Sequence, residues 1–358
     1  MEKKYILAIE SSCDETAASV VCVNKIKSAY NFEIVSNVVA SQIDLHKKWG
    51  GVYPELASRA HLEAIIPVLT EALEPLGKNL DGLEKIDAVA VTAGPGLIGS
   101  LFMGLEAAKI ICALYKKPLI AVNHLEGHIY AGFTNNKKFL IDEKKVFSVI
   151  ALIVSGGHTS LILMKDHLKY KTIGQTIDDA AGEAFDKVAR MLDLGYPGGP
   201  EIENLAKCGD ENAYDLPLSM INSKNLDFSF SGLKTAVLYK TKNPSTGEIR
   251  EFDRADLAAS FQKTVSEILT KKTILGIKKY NPRTVILSGG VAANSYLRNY
   301  FVSKISKTSK VNIFIPPKNL STDNALGIAI AGAIYYLKSP HTSCKTEVKP
   351  NWEIDESQ

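Results

Sequence analysis

Tyr5–Val23 reads YILAIESSCDETAASVVCV, and Phe147–Met164 reads FSVIALIVSGGHTSLILM. Each is an apolar strand, a short turn of small and polar residues, and a second apolar strand. Strands apolar at successive rather than alternate positions belong to sheets covered on both faces. The same device appearing in both halves of the chain points to a duplicated fold.

Outward from these two hairpins, further strands are expected at Ile34–Ser41, Ile86–Thr92, Thr284–Leu287 and Val311–Pro316. Helical periodicity marks Pro54–Leu76, which Pro67 should kink or divide, as well as Asp256–Lys279 and the run ALGIAIAGAIYYL from Ala325. Arg59 and His61 on the first of these are expected on its exposed side or in an internal salt link. Strands alternating with helices give an α/β chain. The charged stretch TNNKKFLIDEKK at 134–145 reads as a linker. The division is then an N-terminal lobe over 1–134, re-entered by a helix at about 323–338, a C-terminal lobe over 147–322, and a loose, flexible tail over 339–358.

Composition narrows the class. A chain of 358 residues with 46% hydrophobic content can bury two cores. Its 42 basic and 39 acidic residues leave a formal charge of +3, mild enough to permit an RNA partner without requiring one. Lys242, Arg250 and Arg254, in a long polar loop, are the basic residues best placed for such a contact. No apolar run reaches membrane-spanning length, and MEKKYILAIESSCDE turns acidic too early for a signal peptide. Five cysteines without a CxxC pattern fit free thiols in a reducing cytoplasm.

Chemistry concentrates at a few stretches. In AVNHLEGHIYA, residues 121–131, His124 and His128 stand at i,i+4, so on a helix both imidazoles leave one face and can share a metal ion. Equally, they can be a packed pair beside Leu125 and Ile129 with no metal. Glu126 is in neither zinc-protease position, directly after the first histidine or directly before the second. The turn with Ser11, Ser12, Asp14, Glu15 and Thr16 can present hydroxyls and N–H groups to a phosphate or cation, or be a plain hairpin turn. Ser155-Gly156-Gly157 can surround an acyl or phosphate oxygen with backbone donors, with the same plain alternative. Gly94, Gly96 and Gly99 match GxGxxG without the acid that follows in dinucleotide folds. Asp186 beside Lys187 can grip a ligand hydroxyl or merely solvate a helix, Pro197 and Pro200 bracket a stiff Gly198-Gly199 turn, Glu203 opens the following helix, and the Asn294 amide fits sugar hydroxyls or a base edge. Asp323 or Thr322 reads as the N-cap of the last helix, or Asp323 as a carboxylate completing the histidine pair.

Taken together, SSCDET, HLEGH, VSGGHTS, GEAFDKVAR with YPGGP, FSFSGLKT, SGGVAANSYLR and STDNA resemble the bacterial tRNA N6-adenosine threonylcarbamoyltransferases, the TsaD family once called O-sialoglycoprotein endopeptidases. The resemblance runs from about Tyr5 to about Leu337. It implies the duplicated actin/Hsp70/sugar-kinase (ASKHA) fold, with two lobes around a central cleft. It implies one divalent metal per subunit on His124, His128 and Asp323, Fe(2+) before Zn(2+). Ile153, Val154, Ser155, Gly156 and Gly157 would line the substrate site by backbone and side chain. Asp186, Gly199, Glu203 and Asn294 would hold the nucleoside part, with Glu203 standing where the family often has Asp. Asp14 and Glu15 match the family's acidic pair, from which a base would come. The implied reaction moves threonylcarbamoyl from threonylcarbamoyl-adenylate to N6 of adenosine 37 in tRNAs reading codons that begin with A. The implied partners are tRNA, a TsaB-like paralogue and a TsaE-like ATPase, with a homodimer when the chain is alone. Competing readings are an ATPase or phosphotransferase on the same fold, a metallopeptidase, and a non-catalytic RNA-binding scaffold.

Overall fold

The computed structural model describes residues 2–243, 245–338 and 346–356. The chain divides into two compact units, one of Met1–Val146, Asp166–Tyr170 and Asp323–Gln358, the other of Phe147–Lys165 and Lys171–Thr322.

The first unit opens with β1 (Lys4–Glu10), β2 (Glu15–Ile26) and β3 (Ala29–Ser41), a short α1 (Ile43–Lys47) and α2 (Pro54–Leu73). It continues through β4 (Ala88–Gly94), α3 (Ile98–Tyr115), β5 (Leu119–Asn123), α4 (His124–Gly132), β6 (Lys138–Asp142) and α5 (Glu143–Val146). The second unit holds β7 (Val149–Val154), β8 (Thr159–Asp166) up to Lys165, β9 (Lys169–Gln175) from Lys171 on, α6 (Ala181–Met191), α7 (Gly198–Ala206), α8 (Ser231–Thr241), α9 (Arg254–Tyr280), β10 (Thr284–Ser288), α10 (Ser295–Thr308) and β11 (Asn312–Phe314). The chain then returns to the first unit as α11 (Ala325–Lys338).

The two sheets repeat one plan. Their orders are β5-β4-β1-β2-β3-β6 and β11-β10-β7-β8-β9, so each strand through β5 has a counterpart in the second sheet. In both, the opening strand pairs antiparallel with its hairpin partner and parallel with the strand on its other side. In the first sheet Leu7, Ile9, Val89 and Val91 pack into one core with Ile65, Leu69 and Leu105 of α2 and α3. The opposite face, with Ile6 and Ala90, carries α11, which lies so close that a Cβ on Gly332 would come within 2.4 Å of the Ala90 Cβ. Coverage on both sides explains why these strands are apolar throughout. The second sheet has its own core, including Ile150, Leu152, Phe185, Phe261 and Leu287.

Several expectations need correction. The charged stretch taken as a linker contains β6, which pairs with β3. Pro67 does not divide α2, whose helix is continuous from Pro54 to Leu73. His61 is fully buried and has partners on both ring nitrogens, the Thr16 hydroxyl at 2.7 Å and the Cys13 carbonyl at 3.0 Å. Ile98–Tyr115 is long and apolar enough to cross a membrane by length and composition. Scanning for unbroken apolar runs misses it because Glu106 and Lys109 interrupt the stretch; here one face, with Leu101, Leu105, Ala108 and Cys112, is buried. Finally, the loose tail expected from 339 onward is anchored over part of its length. Residues 339–345 and 357–358 lie outside the described residues, but Lys349 N–H donates to the Ala93 carbonyl at 2.7 Å and Trp352 is 5% exposed. An indole in a polar tail has apolar area to bury, which is why this segment docks.

One buried group sets a pH dependence. His167 accepts or donates at Nδ1 to the Tyr130 hydroxyl at 2.9 Å, and burial, then the Lys338 charge, push its pKa down to about 3. The unfolded chain, at about 6.5, binds this proton first, so stability falls as pH drops below that value and continues to fall until about pH 3. Between pH 6.5 and 5 the loss is ~2 kcal/mol. His167→Gln should flatten this part of a urea-unfolding stability profile by one proton.

Candidate metal centre and active site

The first site sits beyond the carboxyl ends of the parallel strands β1, β4 and β5, the edge where open α/β sheets gather ligands. At the end of β5, Asn123 turns the chain into α4 by accepting the Leu125 N–H at 2.9 Å. Its amide donates to the Trp352 carbonyl at 3.0 Å, so the docked tail steadies the start of the histidine helix.

His124 and His128 leave α4 on one face, with ring centroids 4.6 Å apart. Asp323 Oδ1 lies 3.6 Å from His124 Nε2 and 3.3 Å from His128 Nε2. One ligand atom from each residue falls within 4.8 Å of the others, which makes the cluster able to hold a divalent cation. Asn324, directly before α11, caps that helix by accepting the Leu326 N–H at 3.0 Å. The residues fit a metal on a second count: His128 Nε2 is buried and has no hydrogen-bond partner among the described residues, although the Asp323 carboxylate faces it. A buried ring nitrogen in this state has a lone pair or proton to place. Two imidazoles and one carboxylate suit zinc or ferrous iron.

Glu10 is the residue that sequence reasoning missed. At 1% exposure it accepts from Ser12 N–H and from the Thr92 hydroxyl, each at 2.6 Å, and its Oε2 lies 3.1 Å from His124 Nδ1. The Ser12 hydroxyl is also 3.1 Å from that nitrogen. A carboxylate at Nδ1 directs Nε2 toward the metal side, the usual arrangement behind a ligating histidine. Burial alone would lower the His124 pKa, but Asp323 and Glu10 overcome it and raise the value to about 9. Burial likewise opposes ionisation of Glu10, and the neighbouring imidazole wins, holding that carboxyl below its usual range. The available signal was an acid ending an otherwise apolar strand.

Asp14, on the turn after β1, and Glu15, the first residue of β2, lie in the same unit. Burial, then the Asp323 and Asp14 charges, push the Glu15 carboxyl well above its usual range. The turn is pinned by His61 and by Gln42, whose N–H donates to the Asp14 carbonyl at 3.0 Å.

In the second unit the residues expected to bind substrate lie along a series of hydrogen bonds and close backbone approaches. Ser155 follows β7, and its N–H donates to the His158 carbonyl at 2.8 Å, closing a tight turn. Gly156 and Gly157 are exposed, and a Cβ on either would meet no atom within 4 Å. Gly182, at the start of α6, approaches the Ser155 carbonyl so closely that a Cβ would lie 2.5 Å from it. Further along α6, Asp186 accepts from the Gly198 N–H at 2.7 Å, and on α7 Glu203 accepts from the Ser295 N–H at 3.0 Å. Gly199 has open space around it. The side chains of Ile153 and Val154 are fully buried in the central strand β7. Asn294 caps α10 through its carbonyl oxygen and donates to Gln262 at 2.7 Å, so much of its amide is already engaged.

The sequence model of the family described as "TsaD: tRNA N6-adenosine threonylcarbamoyltransferase" matches residues 33–330. The chain belongs to this family. A TsaD-family relative from Symbiobacterium thermophilum, named tRNA N6-adenosine threonylcarbamoyltransferase, is 51% identical over 337 residues, spanning 94% of this chain and 92% of its own. One of the same name from Thermosipho africanus is 46% identical over 349 residues, spanning 98% and 99%. Among solved structures, full-length HypF in its phosphate- and nucleotide-bound form aligns with a TM-score of 0.58 at 16% identity, over 95% of this chain and 47% of HypF. HypF of T. kodakarensis aligns at 0.59 and 12% identity, over 97% and 50%. At these identities the likeness is one of fold. The TsaD membership and the repeated strand order place the chain among α/β folds related to the actin-like superfamily.

Proposed function

We propose that this chain transfers the threonylcarbamoyl group of threonylcarbamoyl-adenylate to N6 of adenosine 37 in tRNAs reading codons that begin with A, releasing AMP. The observation that carries the reading is the His124–His128–Asp323 cluster in a chain of the TsaD family. The adenine N6 amine is a weak nucleophile, because its lone pair is shared with the ring. The donor is a mixed anhydride whose AMP leaves readily, so the transfer asks for orientation and charge stabilisation more than for activation.

His124, His128 and Asp323 would hold the cation, Fe(2+) in our reading with Zn(2+) as the alternative. When bound, it supplies a Lewis acid for the carbamoyl oxygen. Glu10 fixes the His124 ring, as its Oε2 and the Ser12 hydroxyl both face Nδ1. The Ser155–Gly157 turn offers backbone donors, and its two open glycines leave room for a ligand to approach. Asp186, Gly199, Glu203 and Asn294 are assigned to the nucleoside part; for Asn294 the remaining amide proton makes that contact. Of the acidic pair we assign the proton-accepting role to Asp14, since burial and the Asp323 and Asp14 charges push the Glu15 carboxyl well above its usual range. The peptidase reading loses its base: both oxygens of Glu126 accept tyrosine hydroxyls.

tRNA, a TsaB-like paralogue and a TsaE-like ATPase are the proposed partners, in a cytoplasmic setting. The paralogue has a surface that suits it. Leu62 and Ile66 of α2 and Ile98, Phe102, Ile110 and Leu114 of α3 are each 48–73% exposed on two helices that pack together. An apolar face of this kind favours a lasting protein contact, with a second copy of this chain taking the position when the paralogue is absent.

The test is adenosine-37 modification by purified chain with donor adenylate and tRNA, read as modified nucleoside by mass spectrometry. Modification is expected with the partners present, lost after a chelator and restored by Fe(2+). Undiminished product after complete metal removal would refute the metal's role. No product with every partner present would refute the transferase reading.

A further inference from the structure

Glu126 lies midway between the two histidines in sequence and on the other side of α4, since two residues turn a helix by about 200°. It is 1% exposed, and a carboxylate that deep requires partners. Two tyrosine hydroxyls provide them. Tyr335 on α11 donates to Oε1 at 3.1 Å, and Tyr170, in the Asp166–Tyr170 segment of the first unit, donates to Oε2 at 3.0 Å. Burial and the adjacent Glu126 charge raise the Tyr170 pKa well above the usual phenol value, which keeps it a donor.

The nine-residue α4 is thereby gripped from two sides. Its front face presents the imidazoles to Asp323, and its back face is tied to α11 and to Tyr170. Apolar side chains of similar volume could fill the same space at equal or better stability. What they would lack is direction: two hydrogen bonds to the two oxygens of one carboxylate fix the rotation of the helix about its own axis.

We propose that the Tyr170–Glu126–Tyr335 clamp sets the rotation of the histidine helix, and so the placement of both imidazoles relative to Asp323. Glu126 is then a positioning residue. The proposal rests on reading His124, His128 and Asp323 as a metal centre, and its test separates the two.

The probe is cobalt(II), titrated into metal-free full-length chain and followed by its visible absorption, with thermal unfolding recorded in parallel. In the Tyr170→Phe/Tyr335→Phe double variant, cobalt affinity should fall about 10–100-fold, as when outer partners of ligating histidines are lost, and the cobalt bands should move. The single variants and Glu126→Gln, which keeps one acceptor oxygen, should fall between. A merely structural role would lower the unfolding temperature and leave the cobalt affinity and spectrum of the folded protein unchanged; that result overturns the clamp. Should the double variant not fold, Glu126→Gln decides on the same readouts. Wild-type chain that binds no cobalt removes the metal centre itself, a failure distinct from the clamp's.

Discussion

Asp323→Ala is expected to lose metal and transfer activity together while the fold survives. The side chain is 19% exposed and supplies the only carboxylate in the three-residue cluster, so its removal leaves two imidazoles and an open side. An outer-shell partner is worth about 10–100-fold in metal affinity, and loss of an inner ligand should exceed that. The helix behind it stays intact because the cap is Asn324, whose oxygen takes the Leu326 N–H. Removing the carboxylate also takes away one of two charges that hold the His124 pKa near 9 and one that pushes Glu15 upward. The measurements are metal content, competition against a graded chelator, and thermal unfolding. Wild-type affinity in the variant would remove Asp323 from the ligand set.

How far the sequence carried depended on whether a signal was local. The i,i+4 spacing of His124 and His128 needs only a helix to become geometry, and the helix is there. The repeated hairpins likewise announced the repeated sheet order, because apolar runs and small polar turns are local features. Asp323 was ambiguous between cap and ligand, since both roles ask for a carboxylate at a helix start; the adjacent Asn324 settles the cap. Glu10 carries no spacing signal, and its role depends on Thr92 and His124, both far along the chain. His61 failed for a related reason: its partners are Cys13, on the turn after β1, and Thr16, near the start of β2, which α2 reaches only after folding. Trp352 shows the opposite case, a visible apolar residue outweighed by the polar composition around it.

Gly327→Ala is expected to be among the most damaging single-methyl changes in the first unit. The helices α4 and α11 cross at Gly127 and Gly327, and a Cβ on Gly327 would stand 1.9 Å from the Gly127 carbonyl oxygen, 2.6 Å from its carbonyl carbon and 2.9 Å from its Cα. All three are backbone atoms of a buried helix, so no rotamer change relieves them. Alanine would raise intrinsic helix propensity by about 1 kcal/mol. Overpacking typically costs about 1–3 kcal/mol, and a contact with rigid backbone belongs at or beyond the upper end. Separating the helices also carries Asp323, four residues upstream, away from the histidines, so metal affinity should fall along with the unfolding temperature. Gly127→Ala provides the internal control. There the new methyl would meet Ile328 Cδ1 at 2.6 Å and Cγ1 at 3.2 Å, side-chain atoms that can rotate away. It should therefore be the milder of the two in both thermal unfolding and cobalt titration. Equal effects, or a Gly327→Ala protein with wild-type metal affinity, would mean that the helix crossing does not set the position of Asp323.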